Sequence, residues 1–193
     1  MITLEGALVQ EYSGDNPDIE KAIQEVAVTW QKERQGPQVF LADFTLFKDC
    51  VGKRWFYAKQ KEKIVGIIIL SELHSHNGWL LNNVLITKDA PHGISELLVI
   101  SMLQTLAKEN CQYVSMGPVP GSQLGEIIGL GGFSETVARW VYQCAKRVFH
   151  LSGREAFWKK FQPTILPSYI LFPEKNLSYS SIKSLLLALN AHV

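Results

Sequence analysis

Asp89, Gly93 and Glu96 fall at a point where an apolar run gives way to a helical pattern, in the stretch LLNNVLITKDAPHGISELLVISMLQTL (residues 80–106). A strand that feeds a helix start leaves free N–H groups and the positive end of the helix dipole pointing outward. That is a ready seat for an anion or an acyl donor. Here the seat is acidic. Glu96, in the first helical turn, is stabilised by the dipole, and its carboxylate suits a cation such as the ammonium group of an amino acid. Plainer roles compete: Asp89 as a turn former and Glu96 as support for the helix start.

Other reactive side chains form no second constellation. Cys50, Cys111 and Cys144 are widely spaced without a CxxC pair. They read as reduced, buried thiols of a cytosolic protein, with Cys111 and Cys144 in apolar contexts. The five histidines include no HExxH or HxH-plus-carboxylate pattern, and His74-Ser75-His76 reads as a strand-end turn. No metal centre is expected.

The elements that must position Glu96 follow from the pattern along the chain. With 193 residues, 47% hydrophobic and 19% charged, the sequence supports one substantial core, and no repeat or linker divides it. A net charge of +1 gives no global pull towards nucleic acid or anionic lipid. Asp15-Asn16-Pro17 starts a helix carrying Ile19, Ile23, Val26 and Trp30, which Gly36-Pro37 stops. Residues 39–44, 54–59, 63–73 and 79–86 read as strands of a largely antiparallel meander. Residues 94–109 form a helix with Ile94, Leu97, Leu98, Met102 and Leu106 as its core stripe, ending at Asn110. A strand at 113–116 runs into the rigid turn 117–121. A short helix plus loop at 124–132 and a helix from Ser134 to about Ala145 follow. Further expectations are a strand at 148–151, a basic aromatic helix at 153–161, a strand at 168–172 and a helix at 178–190. The order indicates a single α+β domain over residues 1–193, with a mixed, largely antiparallel sheet flanked by helices. That matches a GNAT-like (acyl-CoA N-acyltransferase-type) domain, whose strand–loop–helix junction receives the donor where the sheet parts.

Acetyl-CoA enzymes of that fold carry a Q/R-x-x-G-x-G/A loop whose glycines let backbone N–H groups wrap a diphosphate. TKDAPHGISE has one glycine, a proline that removes an N–H, and two acids that would repel phosphate. The loop therefore argues against CoA and for an amino-acid-bearing donor.

At these residues the chain resembles the C-terminal, GNAT-like cytosolic domain of bacterial phosphatidylglycerol lysyltransferases. KDAPHGISE (88–96) is similar to that family's P-D-A-P-N-G-x-x-D/E segment, SMGPVP (115–120) to L-G-x-A-P-L, and VARWVY (137–142) to V-A-R-L-x-Y. FHLSG (149–153), FWKKFQP (157–163) and PSY (167–169) are similar to its Y-x-F-x-G, Y-K-x-K-F-x-P and P-R-Y-L ending. The resemblance implies transfer of an aminoacyl group from aminoacyl-tRNA to a lipid head group or another hydroxyl or amine acceptor, with no cofactor. The family's strand before the loop reads D-x-M-R-R. Here Asn82 stands for the acid, and Leu85 and Ile86 for the two arginines. The alternatives are a CoA-dependent N-acetyltransferase and a catalytically degenerate binding module.

The site this implies has Glu96 binding the ammonium, Lys160 stabilising an oxyanion or a tRNA phosphate, and Asn82 donating to the ester carbonyl. Asp89, Gly93, Ser115, Gly117, Arg139, Tyr142 and Lys159 would line the substrate cleft. Packing or a salt bridge is the competing role for Arg139, and a solvated basic face for Lys159 and Lys160. The basic helix 154–161 with Lys146-Arg147 fits a tRNA acceptor stem or an acidic membrane surface. With no signal-peptide pattern and no apolar run long enough to span a bilayer, the expected location is cytoplasmic, any membrane contact being peripheral at the inner face.

Overall fold

Antiparallel pairing builds most of the sheet. A computed structural model of the protein describes residue 4 and residues 6–33, 46–119, 121, 123–129, 131–148, 152–169, 171 and 178–188. The strands are β1 (Ala7–Glu11), β2 (Lys53–Gln60), β3 (Lys63–Leu73), β4 (Gly78–Ile86) and β5 (Tyr113–Ser115). They lie side by side in chain order. The first four are mutually antiparallel and β5 is parallel to β4, so the sheet is mixed, as the GNAT-like α+β reading requires. Lys61, with φ 53°, turns β2 into β3, and a 3-10 turn at His74–His76 joins β3 to β4.

Helix α1 (Pro17–Glu33) begins where Asn16 Oδ1 accepts from the Ile19 N–H at 3.2 Å, with Pro17 at the first helical position. Its buried Ile23, Val26 and Ala27 pack with Trp55, Tyr57, Ile67, Ile69 and Leu85. Helix α2 (Ile94–Lys108) covers the opposite face with the expected stripe, each member at most 5% exposed, plus Val99. Gly66 lets α2 come close. A Cβ there would stand 3.0 Å from Leu98 Cδ1 and 3.2 Å from Ile94 Cγ2. Asn110 ends α2 in a left-handed conformation (φ 60°), with the Cys111 N–H reaching back to the Leu106 carbonyl at 3.0 Å.

The chain falls into two compact units, residues 1–34 with 43–117, and residues 35–42 with 118–193. The first contains the sheet, α1 and α2. The second contains α3 (Gly132–Val148), α4 (Ser152–Lys159) and α5 (Tyr179–Ala188). The Ser178 hydroxyl caps α5 by accepting from the Ser181 N–H at 3.2 Å.

Several expectations need correction. The described part of 124–131 has no helix, and its Leu124 and Gly125 carbonyls are held by Arg139 of α3 (below). α3 starts two residues before Ser134 and runs through Val148, so Val148 is helical. Ser168, Tyr169 and Leu171 are exposed and not in a strand. Cys111 and Cys144 are half-buried and Cys50 is exposed. The expected strand at 39–44, the stop at Gly36-Pro37 and residues 149–151 lie outside the described residues. β1 was not expected. Only Ala7 of its residues is buried, so its sequence carries little strand signal.

Arg54 on β2 holds β1 and the end of α2 together. Its Nε and Nη2 donate to Glu11 at 2.6 and 2.8 Å, and Nη1 and Nη2 to Glu109 at 2.6 and 2.8 Å. Its guanidinium also lies 5.1 Å from the Trp79 ring centroid. The contact holds the Glu109 carboxyl below its ordinary 4.5. A depressed carboxylate contributes stability that is fully present above the unfolded-state pKa and is lost as pH falls through the folded value. Arg54→Met is therefore expected to lower stability at neutral pH by about 1–2 kcal/mol. It should also flatten the loss of stability below pH 4.5. Urea titrations of both proteins across that acid range check it, and parallel pH profiles would refute it.

Candidate functional site

β4, the strand that leads to the loop before Glu96, parts from its neighbour β5 after a short pairing. β5 pairs with β4 only through Gly78↔Tyr113, Trp79↔Val114 and Leu80↔Ser115. Gly78 makes the approach possible, since a Cβ there would lie 2.2 Å from the Tyr113 carbonyl oxygen. Immediately after this short pairing, the β3–β4 register slips: Leu70 pairs with Leu81, but Ile69 pairs with Asn83. Asn82 is the extra residue, a β-bulge. Its Nδ2 donates to Ser71 Oγ at 2.6 Å, which puts the side chain on the α1 face of the sheet. On the other side of the parting the Ser115 hydroxyl accepts from the Gly117 N–H at 3.1 Å, and Gly117 turns the chain with φ 70°. Asn82, Ser115 and Gly117 thus lie next to the parting. The bulge itself has no sequence signature.

The loop from β4 to α2 is anchored at Thr87, whose buried hydroxyl and N–H both donate to the Val65 carbonyl, at 3.1 and 3.0 Å. Asp89 pairs with Lys63. That hydrogen bond, with a second from Thr87, holds the Asp89 carboxyl below its usual range. The pairing favours the plainer role of Asp89. Gly93 precedes α2 in a left-handed conformation (φ 91°) and offers no capping side chain. Glu96 follows in the first turn, half-buried, its Oε2 accepting from the Ser95 hydroxyl at 2.8 Å. α2 packs on the face opposite the Asn82 side chain, so the two proposed catalytic groups belong to different sides of the sheet. The outer side of the loop borders an open cleft of ≈ 470 Å³, where Glu25, Glu33, Glu62 and Asp89 outnumber Lys63 and Lys88.

In the second unit, α3 carries Arg139, Tyr142 and Lys146 along one face, and all three bind carbonyls of the preceding loop. Arg139 donates to Leu124 O at 2.8 Å and Gly125 O at 3.3 Å, and its Nε and Nη2 also bind Glu135. Tyr142 and Lys146 donate to Gly121 O at 2.8 and 3.0 Å. Burial, with the Glu155 charge in a lesser part, raises the Tyr142 hydroxyl above its ordinary pKa. The expected shared face of Arg139 and Tyr142 is present, occupied by loop carbonyls. Lys146, the buried member, could have been found from its spacing of seven from Arg139. Lys159 pairs with Glu155 at 2.8 Å. Lys160 is exposed just beyond α4, 5.8 Å from the Phe157 ring centroid. Trp158 is buried against Phe157 and Phe161.

The family model for the C-terminal region of phosphatidylglycerol lysyltransferase matches residues 7–172. The chain belongs to that family. A curated lysyltransferase, phosphatidylglycerol lysyltransferase from Bacillus subtilis (strain 168), is 30% identical over 92 residues, 48% of this chain and 10% of that protein. The fold is similar to the C-terminal domain of a proposed lysylphosphatidylglycerol synthetase from Agrobacterium fabrum (TM-score 0.61, 18% identity, 83% of this chain and 48% of that one). It is similar to the same extent to L-PGS from Bacillus licheniformis (TM-score 0.60, 18% identity, again 83% and 48%). The match thus spans a tenth of the curated lysyltransferase and about half of each structure. Against the family's strand pattern, Leu85 is fully buried on the α1 face, and Ile86 pairs with Gly66 and fills the space above it. Among the described residues, no helix is long and apolar enough to cross a membrane.

Proposed function

We propose that this single GNAT-like domain transfers an aminoacyl group from aminoacyl-tRNA to a hydroxyl or amine acceptor, with a lipid head group as the leading acceptor. The observation that carries the reading is the lysyltransferase family match over residues 7–172. The loop chemistry supports it, with one glycine, one proline and two acids where a diphosphate cradle would need bare N–H groups. An aminoacyl ester is already activated, so the reaction needs positioning, carbonyl polarisation and assistance to the incoming nucleophile, without a covalent intermediate. Glu96 binds the ammonium. Asn82, expected to donate to the ester carbonyl, lies on the other face of the sheet and serves instead by holding the β-bulge through Ser71. Lys160, at the exposed end of α4, supplies a cation for tRNA phosphate. Ser115, Gly117 and Gly93 shape the parting, while Arg139 and Tyr142 serve by fixing loop 121–125. The protein would work in the cytoplasm, meeting lipid at the inner face.

The test is incubation with a mixture of radiolabelled aminoacyl-tRNAs and a lipid and peptide extract. Label in lipid or peptide supports the proposal and names the acceptor. No label with any charged tRNA refutes it. The buried Leu85 at a family arginine position favours, as the second reading, a binding module without turnover. Stabilisation by acetyl-CoA in a thermal shift would instead favour the acetyltransferase.

A further inference from the structure

The described residues of the second unit include most of the exposed large apolar side chains, among them Ile128, Phe133, Trp140, Ile165 and Tyr169. On α3 these side chains are ordered. Phe133, Trp140 and Arg147 recur every seven residues and so lie along one line of the helix, with Val137, Cys144 and Val148 beside it. Phe133 is 85% exposed, Trp140 68%, Val148 43% and Val137 39%. Arg139, Tyr142 and Lys146 occupy the opposite side, bound to the carbonyls of loop 121–125. α3 is therefore reversed relative to an ordinary surface helix, with polar groups turned inward and the aromatic stripe outward.

We propose that this outer face of α3 docks on an anionic lipid surface. The sign of the charge selects the partner. The second unit's sequence holds eight Lys and Arg against four Asp and Glu, while the first unit holds eleven against fourteen. A tryptophan and a phenylalanine with an arginine in line is the composition that settles at a bilayer interface, rings among the head groups and the cation against lipid phosphate. A nucleic-acid face would need several cations along the phosphate track, and this line carries Arg147 alone. The proposal deepens the lipid-acceptor reading above and rests on it, by naming where the chain meets its lipid.

Flotation of the whole chain tests it without catalysis. Vesicles of phosphatidylcholine containing phosphatidylglycerol should carry the protein upward, vesicles of phosphatidylcholine alone should not, and salt should weaken the association. The double variant Phe133→Ser/Trp140→Ser, and separately Arg147→Glu, should each weaken partition on the order of tenfold. Their melting temperatures should stay unchanged, since the side chains are exposed. Wild-type protein that fails to float with the anionic vesicles overturns the proposal, as do variants that float like wild type. A double variant that changes only the oligomeric state assigns the stripe to a second copy and overturns it too. So does loss of tRNA retention with flotation intact, which assigns the face to RNA. Label transfer to an acceptor dispersed in detergent separates the two readings. Transfer without flotation sinks the docking face alone, and flotation without transfer supports the docking face and sinks the enzyme.

Discussion

Replacing Gly78 by alanine is expected to separate β5 from the sheet. The added methyl would stand 2.2 Å from the Tyr113 carbonyl oxygen and 2.8 Å from the Tyr113 Cβ. A methyl group has no rotamer to escape into, so the backbone of one strand must move. Three residue pairs are all that join β5 to β4, and Gly78↔Tyr113 is the first of them. The expected cost is about 3 kcal/mol, at the upper end for an overpacked site. Amide exchange at Val114 and Ser115 should accelerate more than in β3, because the damage is local. Gly66→Ala makes the contrast. Its methyl meets only side-chain tips, Ile86 Cδ1 at 2.6 Å and Leu98 Cδ1 at 3.0 Å, which can swing aside. A Gly78→Ala protein as stable as wild type in urea would show that the strand pair yields without cost.

Glu96→Ala is expected to lower aminoacyl transfer by about a hundredfold or more, and Lys160→Ala by a similar factor, each with the fold intact. Glu96 is half-buried in a first helical turn, so its loss removes a favourable dipole contact of under about 1 kcal/mol. Lys160 is exposed, so its loss should leave stability within about 0.5 kcal/mol. Single-turnover assays with one charged tRNA separate the roles. Loss of Glu96 should weaken binding of the aminoacyl end, whereas loss of Lys160 should weaken retention of the tRNA. Transfer at the wild-type rate in either variant removes that residue from the mechanism. A melting temperature that falls along with the rate would mark a packing role instead.

The long periodic segments were legible. β2, β3, β4 and α2 carry mostly apolar patterns, and each lies within one or two residues of its expected bounds. β1 was hidden because its place comes from pairing with β2 rather than from its own side chains, of which only Ala7 is buried. The expected helix at 124–132 failed for a related reason. Glycines allow that stretch several conformations, and Arg139 of α3, farther along the chain, binds the Leu124 and Gly125 carbonyls that a helix would need. At the site, the residue types were readable and the geometry was not. The loop gave Glu96 and Gly93 at the helix start. Nothing in Asn82-Asn83 announced that one of them is an extra residue. Asp89 and Lys63 lie 26 positions apart, so their pairing needed the antiparallel β3–β4 hairpin, which sets the start of β3 beside the end of β4.

The packing of Leu85 and Ile86 bears on where charge can stand in this strand. Leu85 is sealed among Ile67 and its neighbours, and Ile86 fills the hollow that Gly66 leaves open. An arginine at Leu85 would place an unpaired guanidinium in a hydrocarbon interior, whereas half-buried Ile86 is the less enclosed of the two. The packing around Leu85 leaves that position no room for a charge, so charged groups for a donor have to come from the loop and helix side of the junction.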